Sequence, residues 1–440
     1  ILLGQLPDTE VPLYLVDAPD FFNRPGRPYT HADGKDWPDN AERFALIAHA
    51  CDAQALGQDD GNWRPQLIHC NDWQTGLVPA LLSLEPNRPA TLFTIHNLAY
   101  QGLFPAKTFS ALDLPDELWS LESLEFYNML SFIKGGIAHA DWITTVSPGY
   151  AREIIDETHG YGLAGLLRHR SSELSGIING VDNDIWGPTS DPLITRRYDV
   201  HTLQNKLFNK FTLQRDLGLS VASQPLLLSY IGRVVEQKGI DLILDIMDEL
   251  FKHPVQLVVL GSGDPEIEAQ LRSAEQHYPR QLSVHIGYDE QLAHNIEAGA
   301  DALLMPSRYE PCGLNQMYSQ LYGTIPIAHR TGGLADTVVD FNQESLAAHQ
   351  ATGFLFDGDS PEALLATCLG ALSLYRNDRV DWWKLVIAGM KQDFSWTQSA
   401  RQYVELYARL VNSRQGDEPE GQVANIAFTQ EDEQSRHLLH

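Results

Sequence analysis

Short apolar runs that predict buried strands alternate with helical stretches along most of the chain. In the first half such runs lie at residues 66–70 and 90–95, and in the second half at 226–231 and 255–260. Strands that alternate with helices in this way are typical of parallel sheets covered by helices. Because the alternation occurs twice, the sequence predicts an α/β protein with two doubly wound, Rossmann-like domains.

An aperiodic segment, residues 182–198, separates the two halves and is predicted to be the interdomain linker. It contains two prolines and shows neither a helical nor a strand period. The first domain is therefore predicted to span residues 1–181, and the second to span 199–395. The last stretch, 412–440, is polar and acidic, and we expect it to be disordered.

The charge of the chain limits its partners. The 440 residues carry a formal net charge of −27 at pH 7. A uniformly acidic surface repels phosphate backbones and anionic lipid headgroups, so neither nucleic acid nor a membrane is an expected partner. A neutral polymer is not disfavoured, and a local cluster of Arg and Lys could still bind a small anion.

The sequence contains no pattern for export, membrane insertion or metal binding. No apolar run reaches the roughly 20 residues that span a bilayer, and no signal peptide is recognisable. The four cysteines are scattered and form no CxxC pair, and HExxH and paired HxH motifs are missing. We therefore expect a cytoplasmic protein with no disulfide framework, no metal and no other cofactor.

Distinctive polar or glycine residues follow the predicted strands in both halves of the chain. They are Asp72, His96, Asn179, Arg233, Gly261, Tyr288, Glu310 and Gly332. Ligands of doubly wound sheets bind outside the carboxyl ends of the strands. We therefore expect the polar edges of both domains to face one shared cleft.

Residues 306–316, with the sequence PSRYEPCGLNQ, combine a possible phosphate site with a carboxylate. They follow the apolar run 302–305 and precede a helical stretch at 317–322. In a strand–turn–helix unit, free backbone amides and the positive end of the helix dipole face the turn. Glu310 lies just before these amides, which suits a sugar nucleotide with both phosphates and hydroxyls. An ordinary βα turn is the alternative.

Arg233 and Lys238 form a second candidate, because both follow the predicted strand 226–231 at the start of a helix. Two cations at this spacing can reach one diphosphate and stabilise an anionic leaving group as a glycosyl–phosphate bond breaks. The alternative is a pair of solvated basic residues.

His96 and Asp72 are weaker candidates. His96 ends a strand, is followed by Asn97, and could bind a substrate hydroxyl or act as an acid or base. A lone histidine in such a place is more often structural. Asp72 could serve only as the N-cap of a helix that begins at Trp73.

Three glycine- or cysteine-containing segments are also candidates. The Gly261-Ser262-Gly263 turn is similar to a dinucleotide-binding turn, but Glu266 occupies the position of the third glycine, so NAD is disfavoured. The Thr331-Gly332-Gly333 segment offers a further backbone nest for an anion. Cys312 is a conceivable nucleophile, although packing or a backbone contact is the more natural role.

Together, these motifs resemble those of bacterial glycogen synthases and their starch-synthase relatives over about residues 12–411. The matching segments, in chain order, are HCNDW (69–73), TIHNLAYQG (94–102), VSP (146–148), NGVD (179–182), GR-x4-KG (232–239), PSRYEPCGLNQ (306–316), YGTIP (322–326) and RTGGLAD (330–336). The resemblance implies the GT-B fold of two Rossmann-like domains with the active site between them. It also implies that a last helix, 396–411, crosses back to the first domain.

The activity that the resemblance implies is the transfer of glucose from ADP-glucose to the non-reducing 4-hydroxyl of an α-1,4-glucan, with retention and without a metal. Arg233 and Lys238 would then bind the diphosphate, Glu310 the glucose hydroxyls, and His96 would lie near the 6-hydroxyl. The rest of the implied substrate site comprises Asp72, Asn97 and Asn179 at the sugar, Tyr288 on adenine, the amides of Cys312, Gly313 and Leu314, and the nest of Thr331, Gly332 and Gly333.

Two departures from the wider pattern bear on the expected activity. Tyr318 occupies the second glutamate position of the E-x7-E pattern, as is usual in this subfamily. No Lys-Thr-Gly-Gly-Leu loop precedes Ile1, so we expect a first domain that is incomplete at its N-terminus. The alternatives are therefore an impaired fragment that binds glucan or nucleotide, or a GT-B transferase with another donor such as UDP-glucose.

Overall fold

The computed structural model describes residues 1–31, 34–57 and 63–415, which form two α/β units. The strands are β1 (Leu2–Gln5), β2 (Pro12–Leu15), β3 (Leu67–Asn71), β4 (Ala90–Ile95), β5 (Leu103–Pro105), β6 (Glu125–Phe126), β7 (Met129–Ser131), β8 (Trp142–Thr145), β9 (Leu174–Gly176), β10 (Leu226–Ile231), β11 (Val255–Gly261), β12 (Leu282–Ile286), β13 (Ala302–Met305), β14 (Ile325–His329) and β15 (Phe354–Phe356).

The helices connect these strands and cover the sheets. They are α1 (Pro19–Phe22), α2 (Asn40–Leu56), α3 (Leu77–Leu82), α4 (Ala106–Ala111), α5 (Phe132–His139), α6 (Pro148–Glu153), α7 (Ala164–His169), α8 (Lys206–Asp216), α9 (Ile240–Leu250), α10 (Pro265–His277), α11 (Glu290–Gly299), α12 (Asn315–Leu321), α13 (Gly332–Thr337), α14 (Gln343–Ala347), α15 (Pro361–Asn377), α16 (Arg379–Met390) and α17 (Trp396–Gln415).

The second domain has a six-stranded parallel sheet in the order β12-β11-β10-β13-β14-β15. The strand order reverses between β10 and β13, which are neighbours, so the carboxyl ends of these two strands form the topological switch point of the sheet. Apolar residues of α9, among them Ile243 and Ile246, pack against the strands in the main core of this domain. The predicted doubly wound fold is confirmed here.

The first domain has a four-stranded parallel sheet in the order β3-β4-β8-β9. All six residues of β4 are buried, which explains why this strand reads as one continuous apolar run. A β1–β2 hairpin and a small antiparallel sheet, β5-β7-β6, lie outside the parallel sheet. The expected incompleteness of this domain stays a prediction.

The segment predicted as the linker packs on the second domain. The Trp186 ring stacks on the rings of His294 and Tyr318, at centroid distances of 3.8 and 4.2 Å. The Asp191 carboxylate is fully buried and lies 2.8 Å from Nδ1 of His294. Aromatic stacking and a buried polar contact therefore hold these residues, although their sequence has no regular period.

Helix α17 returns to the first domain. Its apolar residues Leu406 and Leu410 pack beside Leu92 of β4. The Tyr407 hydroxyl lies 2.7 Å from Nδ1 of His69, which belongs to β3. The helix therefore ties the C-terminal part of the described chain to the first sheet.

Two expected boundaries differ from the structure. The sequence of residues 127–139 predicts a helix over this whole range, but the helix begins only at Phe132, because positive φ angles of 49° at Tyr127 and 62° at Asn128 form the tight turn between β6 and β7. Residues 412–415, expected to be disordered, continue α17, and 416–440 lie outside the described residues. Local turn chemistry and packing on the first sheet decided these two positions.

Candidate active site between the domains

A cavity of about 180 Å³ lies between the two domains, at the carboxyl ends of their sheets. Its lining residues are His96, Asn97, Val146 and Asn179 from the first domain and Arg233, Gln237, Lys238, Glu310, Pro311, Cys312 and Gly313 from the second. The structure therefore brings all four predicted catalytic residues to one place. No apolar patch dominates this lining, which suits a polar ligand.

Lys238 and Glu310 form an ion pair on the second-domain wall of the cavity. The Lys238 ammonium donates to Oε2 of Glu310, and the Ser307 hydroxyl donates to the same oxygen at 3.1 Å. Glycine at position 239 lets the backbone beside Lys238 lie close to Pro306. Its φ of +68° is left-handed, and a Cβ there would collide with the Pro306 carbonyl oxygen. The segment that follows β10 can thus lie directly against the 306–316 turn.

The Arg233 guanidinium extends from the same strand end into solvent at the cavity. It donates to Oε1 of Gln237 at 2.8 Å and to the Tyr100 hydroxyl of the first domain at 3.4 Å. Two cations, Arg233 and Lys238, therefore stand on one wall, whereas Glu310 is the single carboxylate among the described lining residues and pairs with Lys238. That excess of positive charge suits an anionic group such as a diphosphate.

The 306–316 turn presents backbone amides next to this charge. Among the residues that the structure describes, none accepts a hydrogen bond from the amides of Cys312, Gly313 or Leu314. Gly313 has a left-handed φ of +71°, and the Gln316 side chain holds the Cys312 carbonyl at 2.9 Å. Helix α12 begins at Asn315, two residues earlier than expected. The free amides leave room for oxygen atoms of a ligand.

The Cys312 thiol is unsuited to nucleophilic attack. Burial raises the pKa of this thiol to about 12, while a hydrogen bond from the backbone N–H of Asn179 opposes this rise only in part. A neutral, 5 % exposed thiol is a poor nucleophile at physiological pH. The packing role that the sequence favoured therefore agrees with its surroundings.

Asp72 positions His96 instead of capping a helix. Its side chain makes no cap hydrogen bond, and Oδ1 accepts from the His96 backbone amide at 2.8 Å. The N-cap role that the sequence left as an alternative is therefore not observed, and Asp72 has a left-handed φ of 58°. Burial raises the pKa of Asp72, whereas the neighbouring His96 lowers it. Nε2 of His96 lies 2.9 Å from Oδ1 of Asn71.

Asp72 and His96 also line a second cavity of about 450 Å³ on the first-domain side, together with Tyr29, Phe44, Ile47, Asn71, Gln74 and Thr75. His96 lines both cavities and so lies between them. Aromatic and amide side chains side by side are a common lining for sugar rings.

The expected anion nest at 331–333 already holds a carboxylate of the protein. Oε1 of Glu153, from α6 of the first domain, accepts from the Gly332 amide at 2.7 Å and from the Thr331 hydroxyl at 2.9 Å. The Gly333 amide donates to the Glu310 carbonyl at 3.0 Å. The nest therefore binds an anion, but this anion is a side chain from the facing domain.

In the converse contact between the two domains, a carboxylate of the second domain lies at a helix of the first. The Asp336 carboxylate of α13 accepts from the Gly149 amide in the first turn of α6. Each helix thus has a carboxylate of the other domain at its N-terminus, where the helix dipole favours negative charge. The Ser147 hydroxyl adds a further cross-domain contact, because it donates to the Pro311 carbonyl at 2.6 Å.

Tyr288 and the glycine turn at 261–263 lie apart from the cavity lining. Tyr288 is 87 % exposed and does not line either cavity. The Gly263 amide donates to Glu268 at 2.7 Å, so a side chain of the protein occupies this turn. Among the described residues, no group of three or more His, Cys, Asp or Glu could hold a metal ion.

The sequence does not predict a role for Gln237, Tyr100 or Glu153. Each of them contacts a predicted site residue through its side chain. Gln237 lies inside the GR-x4-KG motif, directly before Lys238, and this position next to a predicted site residue is the sequence signal for it. For Tyr100 and Glu153 only the fold supplies the contact.

The chain matches two protein families, one in each domain. Residues 2–169 match the family described as "Starch synthase catalytic domain". Residues 219–384 match "Glycosyl transferases group 1". The two matches fall on either side of the segment 182–198.

Relatives with similar sequences cover nearly the whole chain. Glycogen synthase 1 of Methylococcus capsulatus is 55% identical over 413 residues, which are 93% of this chain and 83% of that protein. A glycogen synthase of Cellvibrio japonicus is 53% identical over 408 residues, which are 93% of this chain and 84% of that protein.

Solved structures share the two-domain fold. The catalytic domain of starch synthase IV from Arabidopsis thaliana, bound to ADP and acarbose, superposes with a TM-score of 0.83 at 33% identity. The match covers 93% of this chain and 84% of that one. Sucrose-phosphate synthase from Thermosynechococcus elongatus, at 20% identity and a TM-score of 0.54 over 85% of this chain and 79% of that one, shares the fold alone.

Proposed function

This chain belongs to the glycogen synthase family of glycosyltransferases, and we propose that it transfers glucose from ADP-glucose to the non-reducing 4-hydroxyl end of an α-1,4-glucan, with retention. The observation that carries this proposal is the meeting of Arg233, Lys238 and Glu310 on one cavity wall, opposite His96. The starch synthase IV structure, which holds ADP and acarbose, supports ADP as the nucleotide of the donor.

The positive charges match the charge that develops as the donor breaks. The bond between the glucose C1 and the phosphate oxygen breaks, and the electron pair remains on the departing ADP. Arg233 and Lys238 then stabilise the extra negative charge, and the free amides at Cys312 and Gly313 add donors that need no reorientation. The oxygen of the acceptor 4-hydroxyl forms the new bond to C1, and its proton passes to the phosphate oxygen of the departing ADP.

Glu310 and His96 orient the transferred glucose. Glu310 is held by Lys238 and Ser307 through one oxygen, so its other carboxylate oxygen is available to accept from glucose hydroxyls. His96 is fixed from behind by Asp72 and Asn71, which keeps its ring edge at the cavity. Groups held in place before the reaction lower its entropic cost.

We further propose that the reaction needs no metal, since two side-chain cations and backbone amides supply the positive field. A chelator such as EDTA should then leave the rate of ADP release unchanged. A rate that falls with EDTA and returns with added Mg²⁺ would contradict this point.

We also propose a cytoplasmic location. All four cysteines are free thiols and three of them are buried, which agrees with a reducing compartment. No helix in the described part of the chain is long and apolar enough to cross a bilayer. Cell fractionation with antibodies against the chain tests the location directly.

The decisive experiment follows ADP release and labelled glucose in glycogen, with a donor panel that includes UDP-glucose. We expect incorporation from ADP-glucose that depends on added glycogen, and a much lower rate with UDP-glucose. A strong preference for UDP-glucose would mean that UDP-glucose, and not ADP-glucose, is the donor. Binding of ADP without any transfer would favour a binding protein over an enzyme. No incorporation from any nucleotide-glucose would contradict the proposed transfer.

A further inference from the structure

We propose that Gln237 is a positioning residue, which holds the Arg233 guanidinium toward the diphosphate of the donor and ties it to the turn that carries Glu310. The proposal rests on the proposed function, because it assumes a diphosphate in the cavity. The Gln237 side chain contacts both the Arg233 guanidinium and the turn at Tyr309.

Both ends of the Gln237 amide are used. Its Oε1 accepts from Nη2 of Arg233 at 2.8 Å, and its Nε2 donates to the Tyr309 carbonyl at 2.8 Å. The two bonds fix the amide orientation, because a flipped amide would place its NH2 group against the guanidinium donors. The Arg233 head and the peptide before Glu310 are therefore joined through one side chain.

The backbone of Gln237 is held as well. Its carbonyl accepts from the Arg308 amide at 3.0 Å. The Arg308 guanidinium in turn donates to both carboxylate oxygens of Asp241, at 2.9 and 2.7 Å, in the first turn of α9. The bidentate ion pair stabilises the contact between the segments that follow β10 and β13, so the backbone of Gln237 is held in place.

Arg233 needs such support because the side chain is long and exposed. Its remaining partner in the described structure is the Tyr100 hydroxyl at 3.4 Å, a weak contact that comes from the other domain. A free arginine side chain loses rotamer entropy when it becomes ordered. Contact with Gln237 removes part of that cost before the donor binds.

The amide suits this task better than a carboxylate would. A glutamate at position 237 would also accept from Arg233, but it would cancel the positive charge that the diphosphate needs. It would also lose the donor that reaches the Tyr309 carbonyl. Glutamine positions the guanidinium and leaves its charge intact.

A double-mutant cycle tests whether Gln237 acts through Arg233. We compare Gln237→Met, Arg233→Met and the double variant by kcat/KM for ADP-glucose with glycogen in excess. Gln237→Met should lower kcat/KM about 10- to 100-fold, the range for losing a hydrogen bond to a charged group, with the KM for glycogen unchanged. In the Arg233→Met background the same change should cost less than about twofold.

Equal fold losses in the two backgrounds would overturn the proposal, and so would a Gln237→Met rate within about twofold of wild type. Gln237→Glu should not restore the rate, and full activity of that variant would refute the argument for a neutral acceptor. Glu236→Gln, an exposed change in the same turn, is the matched control and should keep wild-type kcat/KM.

Binding of ADP, measured by calorimetry, separates this inference from the proposed function. The same four-way comparison of ADP affinity should show the same non-additive pattern even if the wild-type chain transfers no glucose. Thermal unfolding of each variant shows whether the fold is retained. Additive losses of ADP affinity in variants that fold normally would contradict the positioning role while leaving the transferase function intact.

Discussion

Replacing Glu297 with glutamine should reduce the pH dependence of the free energy of unfolding. Glu297 lies in α11 and is only 1 % exposed, and neither carboxyl oxygen has a hydrogen-bond partner among the described residues. Burial raises its pKa from 4.5 to about 8, and Lys206 opposes this rise only in part. Three tyrosines, Tyr198, Tyr318 and Tyr322, also face this carboxyl group.

The magnitude follows from proton linkage. The folded chain keeps the Glu297 proton up to about pH 8, whereas the unfolded chain releases it near 4.5. Wild-type stability therefore falls as pH rises between these values, by about 1.4 kcal/mol per pH unit. Burial lowers the pKa of Lys206 to about 7, so this lysine stays charged in both states below about pH 6.5. Between about pH 5.5 and 6.5 only the carboxyl of this pair contributes, and glutamine removes its effect.

The assay is urea unfolding at these two pH values, followed by tryptophan fluorescence and far-UV circular dichroism. The stability of Glu297→Gln relative to wild type should increase by about 1.4 kcal/mol from pH 5.5 to 6.5. Glu290→Gln, an exposed change in the first turn of the same helix, is the matched control and should show no such slope. If the free energies of unfolding of wild type and Glu297→Gln changed with pH in parallel, the inference that Glu297 is buried as a neutral carboxyl group would be refuted.

Three further predictions concern the cleft. Lys238→Ala and Glu310→Ala should each lower turnover by about two to three orders of magnitude without a matching loss of thermal stability; near-normal turnover in either variant would disprove its role. Glu153→Ala should weaken the cross-domain contact at Gly332, seen as a larger radius of gyration in small-angle scattering and a higher KM for ADP-glucose. Glu157→Gln, an exposed change nearby, is its control, and unchanged scattering and KM would show that this contact does not hold the domains together. Cys312→Ala should retain at least about a tenth of the wild-type turnover, because burial keeps the thiol neutral; a complete loss in a folded variant would mean that the sulfur takes part in the reaction.

The sequence by itself determined the architecture and predicted which candidate site residues lie together. Continuous apolar runs marked β4, β10, β11 and β13, because strands buried on both faces contain few polar residues. In parallel sheets the carboxyl ends of the strands lie at one edge, so residues that follow those runs were expected to meet. Arg233, Lys238 and Glu310 follow neighbouring strands, and they do line one cavity.

Only the tertiary structure decided which partner each polar group has. Glu153 occupies the nest at Gly332, Asp72 accepts from His96, and Gln237 joins Arg233 to the turn at Tyr309. The contacts of Glu153 at the nest and of Asp72 at His96 join residues that are 24 or more positions apart. Gln237 and Tyr309, which follow neighbouring strands, are 72 positions apart. Periodicity in a sequence reports which faces are buried, whereas a hydrogen bond depends on the distance and angle that the packed domains impose.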